Sequence, residues 1–296
     1  MKVGIIGTGP WGRALATLVA EAGHQPRIGY RSTAPRGFPG TPNLAALVQE
    51  SDLSLVAVPP QGVLELVDSA KPGAADILVL ASRGLCPESG GWLSDQVITR
   101  SACRRVGAIS GPTLAAEVMA RRPCALVIAS LFDEVGDITQ KALHSSVCRV
   151  YTSRDLRGVE TAGAMVEMLA CVIGMADALQ LGLSVRGVIV SRGLAEATRL
   201  GLALDAEAHT FSGLAGVGDL VACGAHPKHP RYQDGRSMVT GGRSARVASL
   251  CNAILKMATR HGVDLPITQA MAQISSGELE PRLAIDMLMR RAAREE

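Results

Sequence analysis

A glycine fingerprint near the start of the chain, Gly7-x-Gly9-Pro10-Trp11-Gly12, carries the first recognisable chemistry. It follows the apolar run Val3–Ile6 and opens a helical pattern. In that setting Gly7 permits a tight turn, Gly9 lets the backbone approach a pyrophosphate, and Gly12 lets the helix sit against the strand. The first turn of the helix then offers free N–H groups and the positive end of its dipole to the phosphates. The strand–turn–helix context favours a dinucleotide site over a glycine turn that binds nothing. The end of the next strand selects the nicotinamide cofactor. An acid there holds the ribose 2′-OH of NAD, whereas arginine suits NADP. The chain reads Tyr30-Arg31-Ser32-Thr33, with no acid until Glu50. Arg31, with Arg36 nearby, is expected to grip a 2′-phosphate, so NADP is the preferred cofactor and NAD the second. The competing reading is a solvated surface arginine.

The elements that must position these residues follow an α/β pattern at first. Lys2–Ile6, Pro26–Tyr30, Leu53–Val58, Asp76–Ala81, Val106–Ser110, Cys124–Ser130 and Cys148–Thr152 read as strands. Trp11–Ala22, Asn43–Glu50, Val63–Ala70 and Gly91–Arg100 read as helices between them. The alternation predicts a parallel sheet with helices on both faces, a Rossmann-like domain over residues 1–155. Near Arg154–Gly158 the periodicity becomes helical and stays so, which predicts an all-helical domain over residues 156–296. Loops are expected at Gly182–Ser184, Gly213–Gly218, Gly224–Gly242 and Gly262–Pro266.

Composition narrows the function classes. With 296 residues, 47% of them apolar and 3% aromatic, the chain can fill two cores with Ala, Leu, Val and Ile. A net charge of +3 without a basic stripe gives no case for nucleic acid. The seven cysteines are scattered without metal-binding spacing, so no metal is expected and reduced thiols in a cytoplasmic protein are. No charged n-region with an apolar h-region opens the chain, so a signal peptide is not expected. The apolar stretch Ala162–Leu179 contains Glu167 and Asp177 and reads as a buried core helix, so no membrane partner is expected.

A series of short segments in fixed order then resembles the bacterial NAD(P)-dependent glycerol-3-phosphate dehydrogenases over nearly the whole length. They are Gly7-x-Gly9-x-Trp11-Gly12, Val58-Pro59-Pro60-Gln61, Ser110-Gly111-Pro112-Thr113-x-Ala115-x-Glu117-Val118 and Val150-Tyr151-Thr152-Ser153. In the second half they are Gly158-Val159-Glu160, Arg192-Gly193-Leu194-Ala195-Glu196, Gly213-Leu214-Ala215-Gly216-x-Gly218-Asp219-Leu220 and His261-Gly262-Val263-x-x-Pro266-Ile267-Thr268. The resemblance implies a Rossmann-like domain followed by a helical domain of the 6-phosphogluconate dehydrogenase type. It also implies a homodimer, and reversible reduction of dihydroxyacetone phosphate to glycerol 3-phosphate. By the same resemblance Gly7, Gly9, Pro10, Trp11, Gly12, Arg31, Pro59 and Ala115 face the cofactor. Gly111, Thr113, Asp219, Arg83 and Arg231 face a small-molecule substrate.

The chain departs from the family pattern where proton transfer occurs. A family lysine after the fourth main strand is replaced in Ala81-Ser82-Arg83-Gly84 by Arg83, which keeps the charge but cannot release a proton. The family Lys-Asn pair on the first helix of the helical domain is replaced by Val166-Glu167. The Arg-Asn phosphate clamp falls on Pro230-Arg231, and the cofactor-contacting glutamate expected between Gly235 and Ser244 is absent. The catalytic set is therefore read as Asp219, Glu167 and Arg83. Glu160 and Glu167 lie about two helical turns apart and are expected to share a face. If that face looks into a cleft, Glu167 with a raised pKa serves as acid or base; otherwise it pairs with an arginine. Asp219 is either catalytic or an N-cap. His226 and His229 either touch an anion or are solvated. Cys223 reads as a small packing residue. Three functions stay open: a glycerol-3-phosphate-type oxidoreductase with altered catalytic residues, a dehydrogenase of another small hydroxy compound, and a non-catalytic NADP(H) sensor.

Overall fold

The structure, a computed structural model, describes residues 1–289. The first part runs β1 (Lys2–Ile6), α1 (Pro10–Glu21), β2 (Gln25–Gly29), β3 (Gly40–Thr41), α2 (Leu44–Gln49), β4 (Leu53–Val56), α3 (Val63–Ala70) and β5 (Ile77–Leu80). It continues α4 (Leu93–Arg100), β6 (Arg105–Ser110), α5 (Ala115–Met119), β7 (Cys124–Ser130), α6 (Asp133–Leu143) and β8 (Cys148–Ser153). The second part is helical: α7 (Leu156–Ala178), α8 (Gly182–Leu202), α9 (Ala208–Ser212), α10 (Asp219–Ala225), α11 (Pro230–Met238), α12 (Ala245–Arg260), α13 (Pro266–Ser276) and α14 (Pro281–Met289).

The strands form one sheet in the order β3-β2-β1-β4-β5-β6-β7-β8. The chain leaves β1 in one direction and returns to start β4 on its other side. A crevice therefore opens beyond the carboxyl ends of β1 and β4, the place where open α/β sheets bind ligands. Both sheet faces are covered, as alternation along β5 shows. Leu78 and Leu80 pack into one buried cluster with α3, α4 and α7, whereas Ile77 and Val79 pack into the other with α1 and α6.

The wholly parallel sheet expected from the sequence is corrected in one place. β6 and β7 pair antiparallel, with Ile109 opposite Ile128. A parallel crossover needs a dozen or more residues to climb back along the sheet. Here α5 instead turns the chain back at the end of β6. The consequence is functional: Gly111, Thr113 and Ala115 all stay at the crevice edge.

Asp155 starts the helical part. Its Oδ1 accepts the Gly158 N–H at 2.8 Å, and its Oδ2 accepts the Thr210 hydroxyl at 2.6 Å and the Glu207 N–H at 3.0 Å. One carboxylate thus caps α7 and fastens α9. Helix α7 is long and apolar enough to cross a membrane by length and composition alone, but 94% of its most apolar window is buried inside the protein. Three of the expected loops are helical. Gly182–Ser184 forms the first turn of α8, Leu214–Gly218 is a π-helical turn leading into α10, and Gly224–Gly242 contains α11. Glycine here serves close packing rather than chain reversal. A Cβ on Gly174 of α7 would lie 2.0 Å from the Tyr232 carbonyl oxygen, and one on Gly235 of α11 would lie 1.9 Å from that of Cys171. The two backbones touch only because both side chains are missing, and α11 thereby carries Arg231 to the cleft.

Candidate active site

The turn after β1 is shaped by backbone contacts. Gly7 has φ +128°, a region that favours glycine, and a Cβ there would lie 2.4 Å from the Ala57 carbonyl oxygen. A Cβ on Gly12 would lie 2.0 Å from the Gly7 oxygen, so α1 can sit on β1 only as glycine. Gly9 differs: nothing lies within 4 Å of the position its Cβ would take. Pro10 occupies the first turn of α1, where its missing N–H costs nothing. Open space above Gly9, backed by the start of a helix, fits a pyrophosphate. Pro59 stands exposed just after β4 on the opposite lip, and Ala115 is the first residue of α5. Arg31 lies two residues beyond β2, at the lip where the adenosine ribose would lie. Its guanidinium, 82% exposed, rests on Glu65 at 3.1 and 3.2 Å.

A stitched loop joins this cradle to the cleft. Trp11 Nε1 donates to the Ala81 carbonyl at 3.0 Å, and the Ser82 hydroxyl donates to the Val58 and Val56 carbonyls at 2.5 and 3.1 Å. The next residue, Arg83, turns inward. Its Nη2 donates to the Gly111 carbonyl and to Asp219 Oδ1, both at 3.0 Å. Its Nη1 lies 3.3 Å from Cys223 Sγ and 3.7 Å from Glu167 Oε1. Glu167 Oε2 in turn accepts Arg231 Nε at 2.9 Å, and Arg231 also pairs with Asp234 one turn along α11. Three separate segments therefore meet around the Arg83 guanidinium, and Arg231 joins them through Glu167.

Burial governs the protonation of this cluster. Asp219 is 0% exposed, and burial pushes its carboxyl up to about 6 although Arg83, Cys223 and the Gly111 N–H all favour its charge. Burial also works against the charge on Arg83, but Asp219, Cys223 and Glu167 outweigh it, so its pKa rises. His229 precedes α11 without bonding its N–H groups and places Nε2 3.9 Å from Glu167 Oε1, while its buried Nδ1 has no partner. Burial lowers its pKa, which leaves the ring neutral near pH 7.

The structure thus brings together Arg83, Glu167, Asp219, Gly111 and Arg231. Asp219 begins α10, but its side chain faces Arg83 and Ser110, not the helix end. Thr113 lies nearby with its hydroxyl donated to the Ala125 carbonyl at 2.6 Å. Glu160 does not share the cleft with Glu167, a correction to the shared-face expectation. It is buried against α4, where it accepts the Ser94 N–H at 3.1 Å and the Ser94 hydroxyl, and burial pushes it up to about 7. Cys223 packs in the core as expected, 0% exposed, and also joins the cluster; it stands one turn after Asp219 and donates to Asp219 Oδ1 at 3.2 Å. That i, i+4 spacing was the available signal. His226 accepts the Lys228 N–H in a local turn, unlike His229. Val166 is 1% exposed. It stands beside Glu167 on α7, whose Gly163 faces Arg83, with a Cβ there falling 3.7 Å from Arg83 Cγ. The segments around Glu196 and Thr268 serve structure: Glu196 accepts the Ile267 N–H at 2.7 Å and the Thr268 N–H at 3.3 Å, capping α13.

Comparison with known proteins identifies the family. Residues 31–135 match the family described as NAD-dependent glycerol-3-phosphate dehydrogenase N-terminus, and residues 155–286 the corresponding C-terminus. Glycerol-3-phosphate dehydrogenase (NAD(P)+) of Streptomyces coelicolor is 32% identical, across 100% of this chain and 98% of that protein. Its counterpart in Methylibium petroleiphilum is 35% identical over the same shares. The crystal structure of glycerol-3-phosphate dehydrogenase from Coxiella burnetii superposes with a TM-score of 0.88 at 26% identity, covering 98% of this chain and 99% of that one. A ketopantoate reductase from Ralstonia eutropha shares the fold at 18% identity, with a TM-score of 0.59 over 98% and 100% of the two chains. The chain belongs to the family of NAD(P)-dependent glycerol-3-phosphate dehydrogenases, oxidoreductases that act on a CH–OH group.

Proposed function

We propose that this chain is a cytoplasmic, homodimeric oxidoreductase that interconverts glycerol 3-phosphate and dihydroxyacetone phosphate, with NADP(H) preferred over NAD(H) and with an altered catalytic set. The observation that carries this reading is the meeting of Arg83, Asp219 and Glu167 one short loop from the dinucleotide cradle. A bound nicotinamide supplies or accepts the hydride. The chain's own residues then have three tasks. Arg83 polarises the substrate oxygen and steadies the negative charge that develops there. Asp219, titrating near 6, holds or releases a proton beside it, with Glu167 as the second carboxylate. Arg231 presents a cation from α11 toward the substrate end. The apolar surface of α8, with Leu183 and Val188 exposed, supports a dimer.

A second reading, a substrate without phosphate, is favoured by one observation. Both cations of the cleft are already compensated: Arg83 by Asp219 and Glu167, Arg231 by Glu167 and Asp234. A phosphate dianion must displace a carboxylate, whereas an uncharged hydroxy compound need not. Purified protein assayed for NADPH oxidation against a panel of small ketones separates the readings. Turnover of dihydroxyacetone phosphate supports the first, and turnover of an unphosphorylated ketone alone supports the second. NADPH binding without turnover of any member would refute both and leave a sensor.

A further inference from the structure

Away from the cleft, β7 and β8 both begin with cysteine. Cys124 and Cys148 are register partners in the parallel pair of strands. Neighbouring strands lie about 4.8 Å apart, inside the range of about 4.4–6.8 Å over which a disulfide joins two Cα atoms. In-register neighbours point to the same side of a sheet, so the two thiols stand side by side. β8 is the edge strand, and both cysteines are first residues of their strands. The backbone there is held from fewer sides than in the sheet interior and can close the remaining gap.

The pair is also reachable. Cys124 is partly exposed in a surface depression of about 660 Å³ lined by Pro112, His144, Ser146 and Arg149. Cys124 is the partly exposed member of the pair and Cys148 is buried beside it, so Cys124 is the attacking sulfur and Cys148 the resolving one. The remaining cysteines lack this combination: Cys86, Cys103, Cys171, Cys223 and Cys251 are all buried.

We propose that Cys124 and Cys148 form a reversible dithiol–disulfide site, oxidised by exchange with a small-molecule disulfide such as that of glutathione. The Cys124 thiolate attacks one sulfur of that disulfide, forms a mixed disulfide and releases one small thiolate. Cys148 then loses its proton, attacks the Cys124 sulfur and expels the second small thiol. The two protein thiols are oxidised to one S–S bond, and the small disulfide is reduced to two thiols. The site is connected to the cleft. The Thr113 hydroxyl donates to the carbonyl of Ala125, the residue after Cys124, and Gly111 two residues before Thr113 accepts Arg83 Nη2 at 3.0 Å. Closing the disulfide thus pulls on the loop that seats Arg83.

The test uses the full chain in glutathione buffers of graded oxidation, quenched with an alkylating reagent and digested for mass spectrometry. The expected product is a Cys124–Cys148 linked peptide, with two of the seven thiols lost and recovered by dithiothreitol. Cys148→Ser should leave glutathione trapped on Cys124, and Cys124→Ser should remove both products. A stable glutathione adduct on Cys124 in the unsubstituted protein without the linked peptide would overturn the proposal. So would seven alkylated thiols at every buffer ratio, since the readout does not depend on turnover.

Discussion

The dinucleotide cradle and the charged cleft are joined by the loop from Ala81 to Arg83, yet they are made of different things. The cradle is backbone and empty space: Gly7 and Gly12 let β1, α1 and the end of β4 touch, and Gly9 leaves room for a ligand. The cleft is side-chain charge, with Arg83 held among Asp219, Glu167 and Cys223, and Arg231 at its rim. A cradle of this kind tolerates almost no substitution, because any added atom collides. A cleft of charges can be rewritten one residue at a time while the fold persists. We propose that this difference is what lets Val166 and Glu167 stand where the family resemblance implies lysine and asparagine while the fold persists.

The comparison breaks most easily at Gly12. Gly12→Val should abolish the folded state, since even the Cβ would overlap the Gly7 oxygen at 2.0 Å. Gly9→Ala should leave the denaturation midpoint unchanged and weaken NADPH binding, because its Cβ meets only the ligand's space. Equal NADPH affinity in Gly9→Ala would end the cradle reading.

On the cleft side, Arg83→Met strands Asp219 as a buried carboxylate without its cation. Loss of one partner from a buried pair typically costs about 3–5 kcal/mol, to be measured by urea denaturation at pH 8. Arg83→Met combined with Asp219→Asn should recover most of that loss. If the double variant is as unstable as the single one, the pair is not what couples the two halves.

Glu160 provides a contrast within the same helix, since it is a buried carboxyl without chemistry. Its folded pKa is raised from 4.5 to about 7, so the folded state keeps a proton that the unfolded chain has released. Its contribution is therefore full below pH 4.5 and is lost as pH climbs to about 7, a total of about 3 kcal/mol. Glu160→Gln should flatten the stability–pH curve across that window and leave NADPH affinity unaltered. An unchanged slope would contradict the burial argument. The smallest effect is at the rim. Arg31→Ala should weaken NADPH by about 1.5 kcal/mol and leave NADH alone, because the exposed Glu65 pair it gives up is worth little. Equal losses for both cofactors in parallel fluorescence titrations would remove the 2′-phosphate role.

What could be read from the sequence follows the same division. The cradle was legible because Gly7, Gly9 and Gly12 act within one strand–turn–helix, where spacing along the chain is spacing in space. Asp219 and Arg83 could be singled out, but their 3.0 Å contact could not, since it joins residues far apart in the chain. Helix α11 was missed because Gly235 and Gly242 read as loop punctuation, when Gly235 is the seat of the α7 backbone. Antiparallel β7 was missed because a buried apolar strand carries no mark of its direction. Glu160 and Glu167 have the right period to share a face, yet Ser94 claims one and Arg231 the other.

We propose that cofactor binding is intact while proton transfer is altered. The most direct test compares the unsubstituted chain with a Val166→Lys, Glu167→Asn variant, measuring NADPH affinity and dihydroxyacetone-phosphate-dependent NADPH oxidation on the same samples. A positioned acid or base is worth about 10²–10⁴-fold in rate. The same NADPH dissociation constant is expected for both proteins, with a rate increase of that order in the variant. Equal or faster turnover by the unsubstituted chain would contradict the proposal, as would a failure of the unsubstituted chain to bind NADPH.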